Sequence, residues 1–436
     1  MPELFPITPI MYAIPPGGDI STRIAPPYDV LDEGPKQALL ARDPHNIVAV
    51  DLPVTPPKTV GPDEAYHEAG VLLRNWLSQG IMDAHHKPMV VGYEQVFELR
   101  GQTVRRRGLL AALGLEPFNR KGGGIFRHEL TIQGGIDDRS KLMQSTRMQL
   151  SPVFGVFSDT KGVVADQLGE YFESRQPDFF GSTSHDGVQH RCWVIDDTGR
   201  IRTLQSFFQT ADVFIADGHH RYTTALNYSQ QHAQCQVAGR CLFMLVALQD
   251  PGMIVLPTHR MVYGLDRDFN MNKLAQYVEQ HESLRLTQAT YGPDQLAQLE
   301  HAVLQESGHC FGIYEPALKR TGILHAVGDD PLALLLPKRA AVWRQLDVAI
   351  AHELVIDRVL KQAFGDEHVS YRYTPDLDEL RRLSDQQTGS LGLILRATPL
   401  KSVCEVSQVD ELMPSKSTFF YPKVATGLVL NPLYEQ

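Results

Sequence analysis

Apolar positions recur at helical spacing from Asp63 onward: Ala65, Ala69, Leu72, Leu73, Trp76 and Leu77 share one face, and Gly80 stops the run. The period then changes. Val90 to Leu99 and Gln102 to Leu113 read as two strands that pair around Arg100-Gly101. Upstream, Ile47-Val48-Ala49-Val50 reads as a short buried strand between Pro-rich loops at Ala25-Pro26-Pro27-Tyr28 and Pro53 to Pro57.

The pattern loosens from Phe118 to Gly135, where glycines and polar residues predict a loop that includes Gly122-Gly123-Gly124. Val153 to Phe157 and Val213 to Ala216 read as strands, and the second runs at once into Asp217-Gly218 and a helix ending near Gln231. Leu242 to Leu248 and Ile254 to Leu256 predict further strands. Beyond Asp266 longer helices are expected over Met271 to Glu282, Asp294 to Glu306 and Val342 to Phe364. A strand at Leu391 to Ala397 and a polar loop from Met413 to Lys423 follow. This alternation predicts a mixed α/β (α+β) protein. It divides into an N-terminal region (1–120), a core that carries the chemistry (121–265) and a C-terminal region closing the site with a polar loop (266–436).

Composition narrows the function classes. With 436 residues, 43% hydrophobic and 21% charged, the chain is globular and large enough for more than one packed unit. Lys plus Arg number 41 against 51 Asp plus Glu, a net charge of −10 that disfavours nucleic-acid backbone binding. The five cysteines form no CxxC pair and read as reduced thiols. The start lacks the basic and apolar regions of a signal peptide, and no apolar run approaches a membrane span. A soluble, cytoplasmic protein with no membrane partner is therefore expected.

The strongest local signal is Ile215-Ala216-Asp217-Gly218-His219-His220-Arg221. A buried strand meets a tight Asp-Gly turn and then a helix start, whose unpaired N–H groups and partial positive charge suit an anion. Gly218 allows close approach of a ligand, His219 and His220 add donors, and Arg221 offers a planar fork for phosphate oxygens. The competing reading is a helix start with merely solvated charges. Arg127-His128-Glu129-Leu130-Thr131, with Asp137-Asp138-Arg139, is the second signal. Glu129 is a candidate general base, with Arg127 and His128 keeping it ionised or orienting a phosphate; the alternative is a solvated charge cluster. The third is Pro414-Ser415-Lys416-Ser417-Thr418, then Tyr421-Pro422-Lys423: an ammonium and hydroxyls for an anion without the glycines of a P-loop, the alternative being a turn with exposed charges. Pro257-Thr258-His259-Arg260 is weaker. A second His-Glu-Leu, at His352-Glu353-Leu354, sits in an amphipathic helix and reads as structural. No spacing of a structural zinc site occurs, so the expected metal is Mg2+ held by Asp217 or Glu129 together with phosphates.

These pieces carry a resemblance. Ala25-Pro26-Pro27-Tyr28-Asp29-Val30, Arg127 to Thr131 with Asp138-Arg139, Ile215 to Arg221, Pro257 to Arg260, and Met413 to Thr418 through Pro422-Lys423 occur in order across the chain. In them the sequence resembles the bacterial family catalogued as domain of unknown function 1015. The Asp-Gly-His-His-Arg turn preceded by a His-Glu pair also resembles the free-serine kinases of the ParB/sulfiredoxin superfamily. That resemblance implies a ParB/sulfiredoxin-like core with added N- and C-terminal layers. It implies Glu129 as base toward the substrate hydroxyl, and Asp217, His219, His220 and Arg221 as holders of phosphates and metal. The segment between Glu129 and Asp217 is longer than expected in the kinases, and the rest of the chain has no obvious counterpart in them.

The expected function is transfer of a phosphoryl group between a nucleotide or pyrophosphate (ATP, ADP or pyrophosphate) and a small hydroxyl compound, free L-serine first. His128 and Asp217 complete the catalytic set with Glu129. Gly218 to Arg221, with Lys416, Ser417 and Thr418, are the expected phosphate ligands. Arg127, Arg139 and Arg260 are the candidates for the substrate. The rivals are a phosphoserine phosphatase-like hydrolase and a non-catalytic nucleotide-binding module.

Overall fold

The computed structural model describes residues 2–118, 123–365 and 368–434; Gly122 of the predicted glycine loop lies outside the described residues. The fold is mixed α/β, and the chain forms two compact units. Unit 1 comprises residues up to Ile254 together with the segment from Pro422, and unit 2 is Val255–Tyr421. The predicted division at residue 120 does not follow this grouping, because strands from both sides of that residue share one sheet.

Unit 1 is built on a 10-stranded mixed sheet. Its strands are β1 (Leu4–Phe5), β2 (Gly18–Asp19), β3 (Val90–Leu99), β4 (Gln102–Gly114), β5 (Ile125–Phe126), β6 (Val153–Phe157), β7 (Phe179–Ser182), β8 (Gln189–Ile195), β9 (Val213–Asp217) and β10 (Arg240–Ala247). They lie in the order β2-β7-β8-β3-β4-β10-β6-β9-β5, with β1 beside β4. The predicted β3–β4 hairpin is present: Leu99 pairs with Gln102. Arg100 and Gly101 both have positive φ (52° and 76°), which gives the two-residue turn the twist of its strands.

Helices cover this sheet: α1 (Glu33–Arg42), α2 (Val48–Asp51), α3 (Asp63–Ser78), α4 (Gln133–Thr146), α5 (Val163–Ser174), α6 (Thr198–Phe208) and α7 (His219–Gln231). Two of them correct the sequence reading. The run Ile47 to Val50 is not a strand; Val48 opens α2, and its N–H bonds the Asn46 side chain at 3.0 Å. A four-residue apolar run has no period long enough to separate strand from helix, and a side chain that can bond a nearby N–H decides it. The predicted loop also ends early, since Gln133, Gly134 and Gly135 already belong to α4.

Unit 2 holds a 6-stranded sheet in which the observed pairings are antiparallel. Its strands are β11 (His259–Tyr263), β12 (Leu284–Ala289), β13 (His309–Glu315), β14 (Arg320–Ala326), β15 (Ser370–Thr374) and β16 (Ser390–Ile394). Alternation along them feeds two cores. Val262, Phe311, Leu391 and Leu393 pack with Val348 to Leu360 on one face, while Met261, Cys310, Tyr314 and Ile394 pack with Leu299 and Leu380 on the other. The helix predicted from Val342 to Phe364 is broken near Leu346. It continues from Asp347 through a wider, π-type stretch at Ala351–Leu360, which contains His352-Glu353-Leu354. Among the described residues, no helix is long and apolar enough to cross a membrane.

Candidate functional site

Sheet topology explains why two motifs far apart in sequence meet. Strand β5 runs parallel to β9, pairing Ile125 with Val213 and Phe126 with Phe214. Parallel strands deliver their next residues to the same sheet edge. Arg127-His128-Glu129 therefore leaves β5 where Asp217-Gly218 leaves β9. The register of β9 against β6 also shifts between Ile215 and Asp217, at the strand end. Gly218 takes φ +96°, which glycine adopts without strain, and no side chain caps α7 there. The first-turn amides of α7 thus open onto the edge that carries Glu129.

The two histidines after Gly218 are tied to the Glu129 segment. The His128 N–H donates to His219 Nε2 at 3.4 Å, and the two rings meet edge to face with centroids 4.7 Å apart. An Nε2 that accepts carries no proton, so the neutral ring holds it on Nδ1. That Nδ1 faces Glu129 Oε2 at 3.7 Å. Burial holds His219 well below the usual histidine range, and the nearby His128 ring adds to this, so the ring stays neutral near pH 7. Burial likewise lowers His128 to about 4 against a hydrogen bond with the Ile215 backbone. His220 faces α4, where its Nε2 accepts the Ile132 N–H at 3.0 Å.

These two buried rings, together with buried His190, which burial lowers to about 3, make the fold sensitive to acid. An unfolded histidine titrates near 6.5, so between about 6.5 and 4 the unfolded chain binds protons that folded His128 and His219 refuse. Stability is therefore fully present above pH ~6.5 and falls as pH drops through that window. Urea midpoints at pH 7 and pH 5 check this; equal midpoints would contradict it.

Gly135 is where α4 makes room for His220. A Cβ there would sit 2.7 Å from His220 Cδ2. Alanine in a helix normally gains about 1 kcal/mol over glycine. Here the ring is anchored through Nε2, so the clash, about 1–3 kcal/mol, is expected to outweigh that gain. Gly135→Ala should lower the melting temperature, and an unchanged or higher value would show that His220 moves freely.

Behind the histidines lies a charge cluster. Asp217 accepts from Arg221 Nη2 and from Lys423 Nζ, both at 2.8 Å. Burial alone would raise the Asp217 carboxyl, but Lys423 and Arg221 together outweigh it and hold the pKa well below the usual range. Lys423 is raised in turn: burial works against its charge, and Asp217 and Asp29 more than compensate. Asp29 is reached by Lys58 at 3.2 Å through Oδ2, while its buried Oδ1 has no partner. Three cations (Lys58, Arg221 and Lys423) thus face two carboxylates, and the adjoining Arg139 with Asp51 and Asp138 evens the count. The second Arg221 amine, Nη1, donates to the Pro152 carbonyl.

Arg139 belongs to an adjoining network. Its Nε bonds Asp138 at 2.8 Å, its Nη1 bonds Asp51 at 3.1 Å, and its guanidinium lies 3.8 Å from the Tyr28 ring centroid. Arg139 Nη2 is buried without a partner. Arg127 lies in unit 1 with its guanidinium 4.8 Å from the Phe118 ring centroid. Arg260, Lys416, Ser417 and Thr418 lie in unit 2. There Arg260 is buried, donates to Thr258 and to the Lys416 carbonyl (3.3 Å), and covers the Tyr373 ring. Ser417 Oγ closes its own loop on the Pro414 carbonyl at 2.5 Å.

The donor set does not suit a resident Mg2+ on Asp217. Both its oxygens are taken by cations, and no group of three or more metal-binding side chains occurs among the described residues. Lys423 and Asp29 sit inside sequence pieces singled out by resemblance, yet had no role assigned there. Arg221 turns inward to Asp217; its i, i+4 spacing from that carboxylate was the readable signal.

No curated protein matches the chain. Among solved structures, a free serine kinase variant in complex with AMP aligns at 10% identity and TM-score 0.31, covering 70% of this chain and 89% of that one. A conserved hypothetical protein from Pyrococcus furiosus aligns at 13% and 0.30, covering 69% and 88%. SbnI with a C-terminal truncation, from Staphylococcus aureus, aligns at 10% and 0.33, covering 71% and 84%. These scores record a remote likeness only. The family model described as protein of unknown function (DUF1015) matches residues 6–349, and the chain belongs to that family.

Proposed function

We propose that unit 1 transfers a phosphoryl group to a small hydroxyl compound, free L-serine first, from ATP, ADP or pyrophosphate. The observation that carries the reading is the placement of Glu129 beside the uncapped first turn of α7, with His219 Nδ1 facing its carboxylate. In this reading the α7 amides bind phosphate oxygens and Lys423 supplies charge. Glu129 takes the hydroxyl proton as the substrate oxygen attacks phosphorus, and the donor's remaining phosphate leaves with the broken P–O electron pair. His219 is a positioning residue: a neutral ring that donates toward the base fixes its orientation without competing for the proton. Arg221 is a positioning residue for Asp217. Arg139, whose buried Nη2 has no partner, is the candidate for the substrate carboxylate. A ParB/sulfiredoxin-like core around β9 and α7 is part of the same proposal and rests on the motif resemblance.

The test is to incubate the full chain with L-serine and each donor in turn and to assay phosphoserine. Formation with one donor supports the reading, and none with any donor overturns it. Phosphate release from phosphoserine alone, without an acceptor, would instead favour the hydrolase.

A further inference from the structure

The sheet has a second end. Val213, which opens β9, pairs with Phe157, which closes β6, and β10 runs parallel to β6 so that Ala247 ends beside Phe157. This edge is therefore opposite the one that carries Asp217. Here a cavity of about 510 Å³ opens, walled by Phe157, Val164, Leu168, Leu245 and Ala247. That volume and apolar lining match small-molecule sites.

The mouth carries arginines. Arg105 and Arg107 line both this cavity and an adjoining polar hollow of about 670 Å³, which adds Arg175 and Arg191 against Glu94 and Glu173. Glu94 is only 2% exposed and is approached by three of the arginines: Arg107 at 2.9 Å, Arg191 at 3.3 Å and Arg105 at 3.6 Å. Glu94 is thus shared among three guanidiniums, and of the acids that line the cavity itself Asp250 is engaged by the backbone N–H groups of Arg107 (3.2 Å) and Gly252 (2.8 Å). The nearby start of α5 is not an anion site. Asp159 accepts the N–H groups of Val163 and Val164 at 2.8 Å and of Ala165 at 3.0 Å, so that helix end is already satisfied by the chain itself. Arg105 and Arg107 are left as the anion-binding groups, with forks suited to two oxygens of one head.

We propose that this edge is a second ligand site for a small amphipathic anion, its apolar body in the 510 Å³ cavity and its phosphate or carboxylate head on Arg105 and Arg107. Calorimetric titration of the full chain tests it with octyl phosphate and octanoate below their micellar concentrations, and with octanol and inorganic phosphate as half-ligands. At least one of the two anions binds, with octanol and inorganic phosphate each at least about tenfold weaker, and the tighter anion identifies the head. Arg105→Gln, at a side chain 54% exposed, weakens the anion about tenfold and leaves octanol unchanged. Ala165→Trp, at an exposed position on the cavity wall, removes binding of both the anion and octanol, and Glu129→Gln leaves this titration unchanged. The proposal is overturned if neither anion binds more tightly than inorganic phosphate, or if neither Arg105→Gln nor Ala165→Trp alters the titration.

Discussion

Glu129→Gln is expected to cut phosphoserine formation by about 10²–10⁴-fold while leaving the donor's KM nearly unchanged. The amide keeps the size and the hydrogen-bonding reach of the carboxylate but cannot accept the hydroxyl proton. Its neighbour sharpens the test. His219 Nδ1 lies 3.7 Å from Glu129 Oε2, a distance that shortens if substrate draws the base inward. His219→Ala therefore leaves a base with its proton affinity but not its aim, and a smaller loss, roughly tenfold or more, is expected. If Glu129→Gln retained full activity with the donor that wild type uses, the proton would have another acceptor and the proposed chemistry would fail.

The second large effect is on stability. Lys423→Met removes the ammonium 2.8 Å from Asp217 and strips Asp29 of one of its cations. Truncating one partner of a buried pair costs about 3–5 kcal/mol. Asp217 keeps Arg221, and its side chain and that of Lys423 are 21% and 17% exposed, so the low end, about 3 kcal/mol, is expected. For a unit of this size that is roughly a 6–12 °C fall in melting temperature. The pH dependence has a fixed sign. The Asp217 pKa is depressed, so its contribution is present above the unfolded carboxylate range and is lost as pH falls through and below it. The gap between wild type and variant should accordingly begin to narrow only as pH falls below about 4, and adding Asp217→Asn to Lys423→Met should recover part of the loss. A variant as stable as wild type at pH 7 would mean that the pair is solvated and carries no load.

What the sequence made legible follows the range of each interaction. Helix α3 and the β3–β4 hairpin were readable because period and turn chemistry are local. So was the strand-turn-helix of β9, Gly218 and α7. Helix α4 was hidden because its opening glycines are set by packing, Gly135 by the His220 ring, and not by helix preference. The two site motifs were visible singly, but their meeting depends on β5 lying parallel to β9, which no local pattern encodes. Lys423 was singled out in the third motif, but without its role. Its partner lies 206 residues earlier, and a lone lysine after Tyr-Pro reads as a solvated loop charge. Arg221 misled in the other direction: its side chain suited an external anion, yet the nearest anion was the carboxylate one helical turn back.

The chain order of that lysine bears on how the protein is made. Unit 2 is written into unit 1, so Asp217 is synthesised 206 residues before Lys423, the second of its two cations. At ribosomal speeds that is a wait of about 10–40 s. During this interval the strands of the large sheet exist but Asp217 and Asp29 lack the Lys423 ammonium. A nascent chain halted inside unit 2 carries an electrostatically unfinished N-terminal half, and only translation past Lys423 completes it.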